Sequence, residues 1–134
     1  MPARVVKSVD YAATVDSMLE GIPLPPGFDP TRLKSEGITT DRYQVGAAVG
    51  GAAACGWFQT WDRALRRGDS ATAEEAEAVL LKAESWPVFR EMEKEGAYPA
   101  TVIEYAVKMK SREWYGRPLL PAAEEGLGCG TRGR

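Results

Sequence analysis

Six side chains in this sequence are of the types that build a binding pocket or an acid–base site. Trp57, Trp86, Tyr98 and Tyr105 could serve as apolar walls with polar tips, and Glu91 and Glu104 as carboxylates between them. An indole or phenol lays a broad apolar face against a ligand and keeps one hydrogen-bonding atom at its edge. A carboxylate lifted out of water among such rings has its pKa raised toward the range useful for proton transfer. The same rings also make good core, each burying about 150–250 Å², and core is the heavier expectation for most of them. Trp57 and Trp61, four positions apart, share one helix face.

Much of the remaining chemistry is excluded by count. The 134-residue chain has no histidine, so imidazole metal sites, Ser-His and Cys-His nucleophile pairs and histidine pH switches are absent. Its two cysteines, Cys55 and Cys129, lie 74 positions apart and make neither a zinc quartet nor a CxxC motif. The expectation is a buried free Cys55 in a small-residue run and a loose Cys129 in a Gly-rich tail, as suits a reducing compartment. No glycine pattern matches a dinucleotide or phosphate loop or a nucleophile elbow, and no acidic spacing matches an EF-hand. Glu91, Glu95 and Glu104 have no sequence neighbours that would enforce the ~5–10 Å separation of a paired-carboxylate glycosidase. No metal, cofactor or catalytic residue is therefore assigned.

The charge balance points the same way. Seventeen basic residues against nineteen acidic ones give a net charge of -2, and no basic run exceeds Arg66-Arg67, so nucleic acid is not an expected partner. Between Ser70 and Glu95 seven glutamates face Lys82, Arg90 and Lys94, an acidic stretch expected to be a solvated helix face.

Hydrophobic periodicity predicts an all-α fold: a compact bundle of about five helices around a long, small-residue-rich central helix, with a disordered C-terminal tail. Residues 1–7 are expected to be a flexible arm, 8–115 a single helical domain, and 116–134 the tail. Val9, Ala12, Val15, Met18 and Leu19 outline a first helix capped by Ser8 and stopped by Gly21. Three prolines in residues 22–28 force an extended path, and Asp29-Pro30 opens a single helical turn. The central helix is expected from residues 39–41 to about Arg67.

No charge falls between Tyr43 and Trp61, but four glycines, five alanines and two glutamines make a membrane span the poorer account. Gly46, Gly50 and Ala54, with Ala47, Gly51 and Cys55 beside them, instead predict grooves for close helix approach. Ser70 or Thr72 caps the next helix, whose stripe is Ala73, Ala76, Leu80 and Ala83. Trp86-Pro87 opens another, with Phe89 and Met92 inward, and Tyr98-Pro99 opens the last, with Val102, Ala106 and Met109 inward. The pair of helices about Gly68-Asp69 is similar in spacing to one tetratricopeptide hairpin, but a single copy makes no repeat stack.

Ile22-Pro23-Leu24-Pro25-Pro26-Gly27-Phe28, Asp41-Arg42-Tyr43-Gln44-Val45-Gly46-Ala47, Cys55-Gly56-Trp57 and Trp86-Pro87-Val88-Phe89-Arg90-Glu91-Met92 together resemble an uncharacterised all-helical domain of actinobacterial proteins, over about residues 9–109. The resemblance implies a helical fold and no assigned activity. It also implies a domain often tethered outside the membrane behind an N-terminal anchor, whereas the first residues here contain neither an anchor nor a signal-peptide h-region.

The expected function is accordingly a non-enzymatic helical interaction domain. Its protein partner would meet the acidic face of residues 74–95 or a groove near the Pro-rich segment, although a brace across the bundle is the heavier expectation for that segment. The rival expectations are an aromatic-lined pocket formed by the six residues above, and membrane association through residues 43–61. Cytoplasmic location follows from the sequence as written, and extracytoplasmic location if an anchor precedes it.

Overall fold

The computed structural model describes residues 4–128. Its elements in chain order are β1 (Val5–Val6), α1 (Tyr11–Leu19), α2 (Thr31–Lys34), β2 (Thr40–Asp41), α3 (Arg42–Arg66), α4 (Ser70–Leu81), α5 (Pro87–Met92), α6 (Tyr98–Ala106), β3 (Glu113–Trp114), β4 (Arg117–Pro118) and α7 (Leu119–Leu127). Single 3-10 turns at Ser8–Asp10 and Ala83–Ser85 lead into α1 and out of α4. The all-α expectation holds, with seven α-helices among the described residues.

The central helix forms where caps and content favour it. The Asp41 carboxylate accepts from the Gln44 amide at 2.9 Å, satisfying one of the free N–H groups at the start of α3. At the other end Gly68 takes a left-handed φ of 74°. The amides of Gly68 and Asp69 turn back to the carbonyls of Leu65 and Ala64, an end that only glycine reaches without strain. Twenty-five residues at 1.5 Å rise give a rod of about 37 Å. It packs against α1, α4, α5, α6 and α7, with α4 folded back along it as the most extensive neighbour. Asp69 caps α4 by accepting from the Thr72 amide at 3.1 Å and its hydroxyl at 2.7 Å.

The glycines of α3 work differently from the close backbone approach that their spacing predicts. A Cβ at Gly46 would overlap Met92, and one at Gly50 would overlap the Phe89 ring. One at Gly51 would overlap the Tyr98 hydroxyl. Large side chains of α5 and α6 are thus seated where α3 has none. The inward stripes predicted for the later helices are buried: Ala73, Ala76, Leu80 and Ala83 along α4 and its exit turn, Trp86, Phe89 and Met92 about α5, and Val102, Ala106 and Met109 along and after α6. The first stripe holds only in part, since Val15 and Met18 are buried but Val9 and Ala12 are exposed, the helix starting at Tyr11 with no cap from Ser8.

Both ends of the predicted domain need correction. Within the expected flexible arm, β1 pairs antiparallel with β2, Val5 opposite Asp41 and Val6 opposite Thr40, and Val6 is buried. Two hydrophobic residues beside a matching extended pair suffice for this ribbon, a feature too short for periodicity to reveal. The larger correction concerns the tail expected from residue 116. Leu119, Ala122, Ala123 and Leu127 recur at helical spacing and are buried in α7, which packs on α3 and α6. Pro121 falls in the first turn, where its missing N–H costs nothing. The part of the expected tail from residue 129 lies outside the described residues.

Candidate functional site

Of the aromatic side chains expected to wall a pocket, Trp57, Trp86 and Tyr105 are buried in the core and Tyr98 is half-buried against it. Trp57 is buried and its indole donates to the Pro23 carbonyl at 2.7 Å. Pro25 lies where a Cβ on Gly56 would stand, so the Pro-rich segment crosses α3 as a brace tied by that bond. Trp61 is buried and donates to Glu77 at 3.3 Å. Trp86 stacks on Phe89 with centroids 5.2 Å apart, and Phe89 meets Tyr98 at 6.1 Å. The Tyr98 hydroxyl donates to the Leu127 carbonyl at 2.8 Å, joining α6 to the end of α7, while the Tyr98 amide donates to the Tyr43 hydroxyl. Burial, with Tyr43 adding to it, holds the Tyr98 phenol protonated well above its ordinary range. Tyr105 packs against Trp114 at 4.3 Å and touches the α7 backbone at Gly126. Its phenol is raised by burial first and by Glu104 and Glu125 second.

The two carboxylates lie apart from these rings. Glu91 accepts from Arg42 Nε at 2.7 Å and pairs with Arg4 at 3.3 Å, pinning β1 and the start of α3 to α5. Partial burial alone would raise its carboxyl, but the hydrogen bond and charge of Arg42, with Arg4 behind, outweigh that and leave it below its ordinary value. A general acid needs the opposite shift. Glu104 is exposed beside Tyr105. Trp86 edges an open depression of about 260 Å³ with Pro23, Val79 and Lys82, yet only 3% of the residue is accessible. Among the described residues no three His, Cys, Asp or Glu side chains are placed to hold a metal ion, and every buried side-chain nitrogen or oxygen has a partner.

A different place on the molecule offers a receptive surface. A half-open cleft of about 210 Å³ runs between α3 and the segment that carries α2. One wall is Phe28 and Leu33, with Asp29, Arg32 and Glu36 at the rim. The floor is Ala47, Ala48, Gly51 and Ala52, with Cys55, Gly56 and Gln59 continuing it. Leu127 and Gly128 close the end. Asp29 accepts from the Thr31 amide at 2.9 Å, and hydrogen bonding by Thr31 lowers its carboxyl below the ordinary value. Lys34 pairs with Asp16 at 3.2 Å and so fastens α2 to α1. Gln59 donates to the buried Glu124 at 2.9 Å, anchoring α7 beside the cleft.

None of the six residues singled out from the sequence lines this cleft. The stripe Ala47, Gly51, Cys55 does, whereas Gly46 and Gly50 face α5. The small-residue pattern carried the signal, but periodicity alone could not say which stripe would be covered.

Cys55 also departs from expectation. It is disulfide-bonded and no described cysteine is a free thiol, so the buried free Cys55 expected from the sequence is corrected. Cys129, the other cysteine of the sequence, lies outside the described residues. Comparison with known proteins adds no relative: no family model, curated protein or solved structure matches the chain.

Proposed function

We propose that this chain is a non-enzymatic helical interaction domain whose cleft between the α2 segment and α3 receives an apolar stretch of a polypeptide carrying a basic residue. The observation that carries this reading is the contrast between the two surfaces. The polar tips of Trp57, Trp61 and Tyr98 are held by Pro23, Glu77 and Leu127, while the cleft floor keeps Ala47, Ala48 and Ala52 partly exposed under a rim that carries Asp29, Arg32 and Glu36. Its volume decides between ligand classes. Pockets for drug-sized molecules run to about 300–1,000 Å³, so a 210 Å³ cleft suits one or two side chains of a peptide.

The rival reading, an acid–base site among the aromatic residues, lacks a raised carboxyl: Glu91 is lowered by its arginines and Glu104 is exposed. For location, no helix among the described residues is long and apolar enough to cross a membrane. A disulfide on Cys55 supports an oxidising, extracytoplasmic setting over the cytoplasmic one expected from the sequence.

Fluorescence anisotropy with labelled nine-residue Leu- and Phe-containing peptides, added to the full chain under reducing conditions, tests the reading. Peptides with two arginines are expected to bind with Kd of about 1–100 μM, and their glutamate counterparts at least ten-fold more weakly. Ala52→Trp, which fills the floor, should abolish binding while the helical circular dichroism persists. Undiminished binding to that variant would place the peptide elsewhere and overturn the proposal.

A further inference from the structure

We propose that a depression between the end of α3 and the start of α7 binds a small aliphatic carboxylic acid, its carboxylate paired with Arg112 and its chain laid on leucine side chains. The site shares no residue with the cleft beside the α2 segment and goes beyond the reading given for that cleft.

The lining of the depression, which holds about 320 Å³, names the ligand class. Half-exposed Leu65 of α3 and Leu120 of α7, with exposed Pro118 of β4, supply an apolar surface. The charged members are Asp62, Arg66 and Arg112. Arg66 Nε donates to the Asp62 carboxylate at 2.7 Å, so these two charges balance. Among the described residues the Arg112 guanidinium makes no ion pair or hydrogen bond, which leaves one positive charge beside the leucines. A guanidinium fork matches a carboxylate with two parallel hydrogen bonds, and the apolar surface beside it asks for a hydrocarbon chain on the same molecule. The volume stands at the lower end of the about 300–1,000 Å³ usual for small-molecule pockets, so the acid is a small one.

The backbone at Arg112 supports the same assignment. Its φ of 63° is left-handed, a conformation in which glycine is the ordinary occupant and a Cβ is strained. The chain is held there from both sides. The Arg112 amide donates to the Lys108 and Met109 carbonyls at 3.0 and 3.1 Å, and its carbonyl accepts from the Leu119 amide at 3.1 Å. Glycine would make all three bonds, so what arginine adds at this position is its side chain at the depression. Residues kept in a strained conformation gather at functional sites.

An NMR titration of octanoate into the isotope-labelled full chain tests the site. Saturable shifts of the Leu65 and Leu120 methyls and of the Arg112 Nε–H are expected, with a Kd below about 1 mM. Acetate, which keeps only the anion, and octanol, which keeps only the chain, should each bind at least ten-fold more weakly. Arg112→Gly should weaken octanoate at least ten-fold while the urea midpoint rises, because the strain leaves with the side chain. Arg112→Gln, which keeps the Cβ and removes the charge, should lose the same affinity with the midpoint unmoved. Octanol as tight as octanoate, or octanoate affinity unchanged in both variants, overturns the proposal. Shifts centred on Ala47, Ala48 and Ala52 also overturn it, since they place the acid in the cleft. A midpoint lowered by Arg112→Gly shows that the arginine stands there for the fold and counts equally against the site. The peptide titration of the cleft reports on that reading by itself.

Discussion

Glu91 holds two arginines from distant parts of the chain, Arg4 and Arg42, and keeps a lowered pKa in spite of partial burial. A carboxyl whose pKa is lower folded than unfolded stabilises the fold when ionised, and that contribution is lost as pH falls through the folded value. Glu91→Gln should therefore cost about 1 kcal/mol near neutral pH, the scale of a partly exposed pair. The gap from wild type should close once the pH falls well below the ordinary value of 4.5. Thermal melts of both proteins across pH 2–8 check this; a gap that stays constant with pH would contradict it. Gly50 offers the opposite lesson about propensity. Alanine gains about 1 kcal/mol in a helix interior, but its methyl would enter the Phe89 ring, which Trp86 and Tyr98 confine. Overpacking of this kind costs about 1–3 kcal/mol, so Gly50→Ala should lower the urea midpoint, and a raised midpoint would contradict the packing. Residue types made the aromatic core legible from sequence alone. The partners of Glu91 were not, because Arg4 and Arg42 lie 87 and 49 positions away.

At the level of elements, legibility follows length. The run from Asp41 to Gly68 carries its own start, periodicity and stop, and α3 matches them within a residue or two. The buried stripes of α4, α5 and α6 are equally plain, since each repeats an apolar residue every three or four positions. The two-residue strands β1 and β2 lie below any periodic signal and form because residues 34 and 36 positions apart, Val6 with Thr40 and Val5 with Asp41, meet beside α3. The helix α7 was obscured by the Pro, Gly and Glu around it, although Leu119, Ala122, Ala123 and Leu127 share one face. Leu119, 1% exposed, provides the test of its role. Leu119→Ala should cost about 2–5 kcal/mol by the usual scale for buried leucine. A change within 0.5 kcal/mol in urea titration, as expected for a surface position, would return residues 119–127 to the status of a tail.

For the whole molecule, the division that bears on the proposal is between a filled interior and the cleft beside the α2 segment. α3 serves both, through different stripes. Gly46 and Gly50 accept Met92 and Phe89 and so complete the core. Ala47, Gly51 and Cys55 lie a fraction of a turn away and line the cleft beneath the α2 segment, Gly51 also seating the Tyr98 hydroxyl. Sequence spacing shows that both stripes are small but not which neighbour covers which, because that depends on where the Pro-rich brace delivers Phe28 and Leu33. The most direct measurement is a heteronuclear NMR titration of the arginine peptide into the isotope-labelled, reduced full chain. The account predicts shift changes centred on Leu33, Ala47, Ala48 and Ala52, with Trp86, Phe89 and Tyr105 little affected. Changes centred on Trp86 and Phe89 would contradict it, showing that the aromatic interior opens to admit the ligand.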